Sequence, residues 1–170
     1  MNPTDAQQAR EQFEELYRRI EIERMQGVPI LNHALSVEAV GFESVGDARI
    51  GVLITPWFMN LVVLPQDEER YLGGNPVVGA SRHLHLPAGV IEFLIAGEEG
   101  RGLWLMCSLF SPMHEFADQE AARQTALAAL EHVLTAPEPE VELEPQAAEP
   151  AQLTRRALFS RRREVEASEQ

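Results

Sequence analysis

Two histidines one residue apart, His83 and His85, and a lone cysteine, Cys107, are the side chains whose types and spacing could do chemistry in this 170-residue chain. On a strand, both imidazoles would share one face while Leu84 and Leu86 share the other, and paired imidazoles at that spacing could hold a transition metal. No third ligand follows nearby, and the same pattern describes a solvated strand face opposite a buried one. His33 and His114 are isolated, and His132 falls on the last helical segment. Cys107 lies between Met106 and Ser108 in a strand-like run, where a thiol is buried as a small apolar group more readily than it reacts. There is no Gly-x-Ser-x-Gly turn, and "GGNPVVG" (73–79) has neither dinucleotide-fold nor phosphate-loop spacing. None of the 14 basic residues is a lysine, which removes Schiff-base chemistry and the phosphate-loop lysine. These signals point away from an enzyme and imply neither a metal nor a cofactor.

The elements that would position these residues follow from periodicity. Phe13, Leu16, Tyr17 and Ile20 recur at three- and four-residue steps, so residues 4–25 read as an amphipathic helix ended by "QGVP" at 26–29. The period then changes to two: 36–45, 48–55 and 57–64 read as strands, with Gly46-Asp47 as a tight turn. Residues 65–81 carry charge, Gly-Gly and Asn-Pro, and read as a long loop that could act as a flap. "RHLHLP", 89–96 and 103–110 resume the strand pattern around a Gly/Glu-rich turn, and Asp118 caps a helix over 119–135 whose apolar stripe is Leu127, Leu130 and Leu134. The expected fold is α+β: an antiparallel sheet of five to six strands flanked by an N-terminal and a C-terminal helix, forming one domain over 1–136. Residues 137–150, "PEPEVELEPQAAEP", read as an acidic, disordered linker to an arginine-rich tail at 151–170.

Three of the strands are apolar on both faces, which a sheet with one wet face does not need. If both helices lie on one side, Trp57, Phe58, Trp104 and Phe110 stay near solvent, and a large exposed apolar patch usually marks a partner site. If the helices divide between the faces, or a dimer hides the patch, no such surface remains. Pro56 and Ser111-Pro112 interrupt two apolar strands beside aromatic residues, and such ends could line a groove for an extended peptide. The net charge of −13 argues against nucleic acid as a partner. The N-terminus is polar and acidic where a secretory signal is basic and then apolar, and no run reaches the ~18 apolar residues of a membrane span, so a cytoplasmic protein without stable membrane insertion is expected.

The segments "GVLITPWFMNLVVLP", "LHLPAGVIEFLIAG", "LWLMCSLFSPM" and "RRALFSRRR" together resemble the HybE/HupJ family of [NiFe]-hydrogenase assembly chaperones. The positions that carry the resemblance are Ile54-Thr55-Pro56-Trp57, Leu86-Pro87, Ser108-Leu109 with Ser111-Pro112, and Arg155-Arg156-Ala157-Leu158. The resemblance implies a cytoplasmic, non-catalytic protein that binds hydrogenase small-subunit or large-subunit precursors, notably the small subunit with its twin-arginine signal peptide, and delays export until assembly. Expected contact residues are Ile54, Thr55, Pro56, Trp57, Phe58, Pro87, Trp104, Ser108, Phe110, Ser111, Pro112, Arg155, Arg156, Leu158 and Phe159. Some relatives are fused to a rubredoxin, for which this chain has too few cysteines. "TRRALF" (154–159) looks like a twin-arginine motif near the wrong terminus, and is read as a tethered decoy for the client groove, as a separate docking point, or as an inert, solvated tail. A redox or metal-handling accessory using Cys107 and the His83/His85 pair, and a structural subunit of the assembly complex, are the competing readings.

Overall fold

The computed structural model describes residues 3–135. The linker and tail expected at 137–170, with Arg155, Arg156, Leu158 and Phe159, lie outside them. Helix α1 (Pro3–Arg24) precedes a six-stranded sheet of β1 (Glu38–Val45), β2 (Ala48–Ile54), β3 (Met59–Pro65), β4 (Ser81–Leu86), β5 (Gly89–Glu98) and β6 (Gly102–Phe110). A five-residue helix α2 (Glu68–Leu72) lies between β3 and β4, and α3 (Gln119–Leu134) follows β6. Every pairing is antiparallel and the strand order is β1-β2-β3-β6-β5-β4. Two three-stranded meanders are therefore joined by β3 against β6, which leaves β1 and β4 at the edges.

The helices divide between the faces. Phe13, Leu16 and Tyr17 of α1 pack with Phe42, Leu53, Trp57, Val62 and Trp104 on one face. Ala122, Ala126, Leu130 and Val133 of α3 pack with Val40, Ile50, Val52, Leu61 and Leu105 on the other. This is why strands β2, β3 and β6 are apolar on both sides: each side chain that a one-sided sheet would leave wet has a helix above it. At about 1.5–3 kcal/mol for each large apolar side chain fully buried, the second layer is a major part of the fold's stability.

Two sequence expectations change. The α3 stripe is built on Ala122, Ala126, Leu130 and Val133, whereas Leu127 is 42% exposed. The small alanines let the helix sit close to β1 and β2, and Leu130 reaches the space above Gly41. Residues 65–81 are a loop only in part: Asp67 accepts from the Arg70 N–H to cap α2, Leu72 is fully buried, and Arg82 donates through Nε and Nη2 to the Leu72 carbonyl at 2.9 and 2.6 Å, while the segment after α2 exposes Val77 and Val78. The strand β1 also carries a bulge at Phe42, a non-glycine residue at φ 67°. Alternation would have placed Phe42 beneath α3; the extra residue turns it under α1 instead.

Candidate functional site

The proline-interrupted strand ends meet at one end of the sheet. Met59 pairs with Phe110 in the β3–β6 ladder, so the β2–β3 turn and the residues after β6 are neighbours. The hairpin β4–β5 pairs Leu86 with Gly89, and Leu94 pairs with Met106, which brings Pro87 to the same end. Thr55 organises the turn. Its buried hydroxyl accepts from the Trp57 and Phe58 N–H groups at 3.3 and 2.9 Å and donates to the Phe58 carbonyl at 3.0 Å. Pro56, which cannot donate, leaves its carbonyl to accept from the Asn32 N–H at 2.8 Å.

Asn32 then ties the turn to the loop after β6. Its Nδ2 donates to the Met113 and Phe116 carbonyls at 2.9 and 2.8 Å, while its Oδ1 accepts from the Ala34 N–H at 3.0 Å. Sequence reasoning missed this residue, although an Asn in "PILNHA" signals an Asx turn of this kind. Asn32→Ala would strand two carbonyls and open the turn, and is expected to cost about 2 kcal/mol, read as a lower urea midpoint at unchanged slope.

Of the expected contact residues, Ile54, Thr55 and Pro56 are buried, Pro87, Ser108, Ser111 and Pro112 are exposed, and Phe58 and Phe110 are half-buried. Trp57 and Trp104, expected near solvent, are only 8% and 4% exposed, because α1 lies over them. Phe13 meets the Trp104 ring edge-on at 5.2 Å and Tyr17 meets Phe58 at 5.8 Å, while Trp57 packs on Phe58 at 5.6 Å. The Tyr17 hydroxyl donates to Met106 Sδ at 3.5 Å. Burial pushes its pKa up to about 12. The two tryptophans are thus core, and Phe58 is the aromatic that reaches their outer edge.

What α1 leaves open is the β5 side of its own face. Cross-strand pairing puts Val90, Glu92, Leu94 and Ala96 there beside His83, His85 and Met106. Val90 and Leu94 are 57% and 52% exposed. At one end of this strip, Glu98 accepts from Arg24 at 3.2 and 2.5 Å, and that hydrogen bond holds its carboxyl below the usual range. Both His83 and His85 face solvent. Among the described residues no three His, Cys, Asp or Glu side chains converge as a metal site would need. Cys107 lies on the opposite face, half-buried; burial, then the charge of Glu92, pushes its thiol up, away from the reactive thiolate.

The family model described as "[NiFe]-hydrogenase assembly, chaperone, HybE" matches residues 8–161. The chain belongs to the HybE family. It is 46% identical over 118 residues to the hydrogenase expression/formation protein HupJ of Bradyrhizobium diazoefficiens, covering 69% of this chain and 67% of that protein. It is 43% identical over 154 residues to the hydrogenase expression/formation protein HupT of Azotobacter chroococcum, covering 90% of this chain and 95% of that one. The solution structure of HybE from Escherichia coli shares the fold, with a TM-score of 0.57 over 85% of this chain and 88% of that one at 23% identity. HybE-family membership gives this chain a role in hydrogenase maturation, as a chaperone. No helix among the described residues is long and apolar enough to cross a membrane. The HybE-family match extends past the described residues and takes in Arg155, Arg156, Leu158 and Phe159.

Proposed function

We propose that this HybE-family chain is a non-catalytic cytoplasmic chaperone that holds immature hydrogenase subunits, in particular the small-subunit precursor with its twin-arginine signal, and delays export until assembly is complete. The observation that carries this reading is the open β5 strip, where Val90 and Leu94 stand in solvent next to Glu92. A twin-arginine signal offers two cations followed by an apolar stretch. The strip offers the converse, carboxylate beside exposed aliphatic surface, on a chain with net charge −13 that steers arginines inward. Phe58, Ser108, Ser111, Pro112 and Pro87 at the adjoining sheet end, with Phe110 on the α3 side against Phe116, are the further contacts of this reading, and the Thr55–Asn32 network ties that end together.

Affinity capture from cells making the hydrogenase tests the proposal. Wild-type protein is expected to retain a hydrogenase precursor. The Leu94→Glu variant, altered at a solvent-facing position, is expected to retain at least about tenfold less at an unchanged melting temperature, since a new charge must be desolvated against the client. Capture of no precursor by the wild type, or equal capture by Leu94→Glu, would overturn the reading.

A further inference from the structure

The two edges of the sheet are treated differently. Edge β1 is partly covered: Glu14 Oε1 accepts from the Ala39 N–H of the strand and Gln119 Oε1 from the Ser36 N–H just before it, both at 2.9 Å, and the bulge at Phe42 bends the strand away from a flat template. Among the described residues, nothing covers edge β4 in this way. The phase of its pairing is set at both ends. At one, the Ile95 N–H donates to the Ala80 carbonyl at 2.8 Å; at the other, Leu86 and Gly89 close a two-residue hairpin loop. Antiparallel ladders alternate, so Arg82, Leu84 and Leu86 spend their backbone groups on β5. Ser81, His83 and His85 turn theirs outward. The Ser81 carbonyl is taken by Arg82 Nη1 at 2.9 Å, which agrees with that phase. Among the described residues, the N–H and C=O groups of His83 and His85 find no partner, which leaves four unpaired backbone positions on this edge.

This edge borders a mostly apolar cleft of about 390 Å³ lined by Val45, Ile50, Tyr71, Leu84 and Leu86, with Arg70 and the two histidines also on its border. We infer that the free edge of β4 takes an extended segment of a partner polypeptide as an added strand, with apolar side chains at every second position. The chemistry follows from the alternation of strand side chains. Residues of the added strand that share a face with Leu84 and Leu86 enter the apolar cleft. Those between them stand beside the imidazoles of His83 and His85 in solvent and are polar. Backbone bonding makes the site tolerant of sequence, and the cleft sets the apolar spacing. The inference goes beyond the proposed client, since it holds for any extended segment of this pattern, and its failure is separable from a failure of precursor capture.

The test uses the full chain and dodecapeptides selected on it from a random displayed library. Selected peptides are expected to carry apolar residues at alternate positions and to slow amide hydrogen exchange at His83 and His85. His85→Pro removes one outward N–H without touching the β5 ladder and is expected to weaken peptide binding about tenfold, whereas His85→Ala, which keeps that N–H, changes it less than about twofold. Val45→Arg fills the cleft and is expected to weaken binding about tenfold as well; with the exchange data it decides the matter if His85→Pro fails to fold. Absence of any enriched peptide, protection confined to other amides, or full binding by Val45→Arg would overturn the inference. So would an edge-dependent dimer in sedimentation equilibrium that His85→Pro abolishes, because the occupant would then be a second copy of this chain.

Discussion

Trp104→Ala is expected to destabilise the domain by about 3–5 kcal/mol, the range for removing a large aromatic from a core that cannot collapse around the gap. The indole is 4% exposed and is held edge-on by Phe13 at 5.2 Å from above. Its other border is a cleft of about 360 Å³ lined in part by Phe13, Leu16, Arg49 and Leu64, so the vacated volume would merge with space that already lacks packing atoms. Relaxation would need α1 to descend onto the sheet, yet the helix is pinned at Glu14, whose Oε1 holds the Ala39 N–H, and at Arg24 by Glu98. Against a typical total stability of about 5–15 kcal/mol, that is at least about a fifth of the reserve. Equilibrium urea unfolding measures this; a loss below about 1 kcal/mol would mean that α1 does not cover Trp104 in solution. Trp57, at 8% exposed under the same helix, behaves as a core residue too, so a binding defect in Trp57→Ala would report unfolding and not a lost contact.

That result bears on what could be read in the residues themselves. The three- and four-residue recurrence of Phe13, Leu16 and Tyr17 and the cap at Asp118 located α1 and α3 to within a residue or two of their observed bounds. Period-two patterning and the Gly46-Asp47 turn located the hairpins. Periodicity states which stripe of a helix is apolar; it does not state which face of the sheet that stripe covers, since that depends on where the chain crosses over. Doubly apolar β2, β3 and β6 are compatible with an exposed surface or with a helix on each side, and only the placement of α1 over Trp57 and Trp104 resolves the two. The leucine at 127 misled for a related reason: hydrophobicity ranks Leu above Ala, but close approach of α3 to the sheet selects Ala122 and Ala126 for the contact. Helix α2 was missed because five residues are fewer than two turns, too few for a period to show.

The candidate site was legible as types and spacing and illegible as an arrangement. Pro56 and Pro112 announce interrupted strands, but their meeting at one sheet end rests on β6 inserting between β3 and β5, a crossover that no local pattern encodes. The strip at Val90, Glu92 and Leu94 was present as an ordinary alternating strand. It became a candidate surface only because α1 covers the β1–β3 side of that face and stops short of β5. One physical picture then links fold and function: a helix layer on each face seals the doubly apolar strands β2, β3 and β6, and, among the described residues, β4 and β5 of the second meander are left with a half-open face and an uncovered edge. On the proposed reading that division serves client release, because the exposed aliphatic area is small and set among charges, while the core that carries stability stays out of the contact.

The bulge that sends Phe42 beneath α1 supplies the second large effect. Phe42 is 1% exposed and lies directly over Gly51 on the neighbouring strand. A Cβ at Gly51 would meet three Phe42 ring atoms at 2.4–2.7 Å, closer than van der Waals contact allows by about 1 Å. The ring cannot swing aside, since Phe13 packs on it at 6.0 Å and its own backbone is fixed at φ 67° by the bulge. Gly51→Val is therefore expected to cost about 3 kcal/mol, at the upper end of overpacking penalties, and to lower the thermal midpoint by more than Asn32→Ala does. The double variant Phe42→Ala/Gly51→Val separates clash from other effects. Removing the ring makes room for the valine, so the pair should be more stable than the sum of the two single losses predicts, by at least about 1 kcal/mol. Strict additivity would show that Phe42 does not occupy the space above Gly51, and with it the bulge would lose its structural purpose.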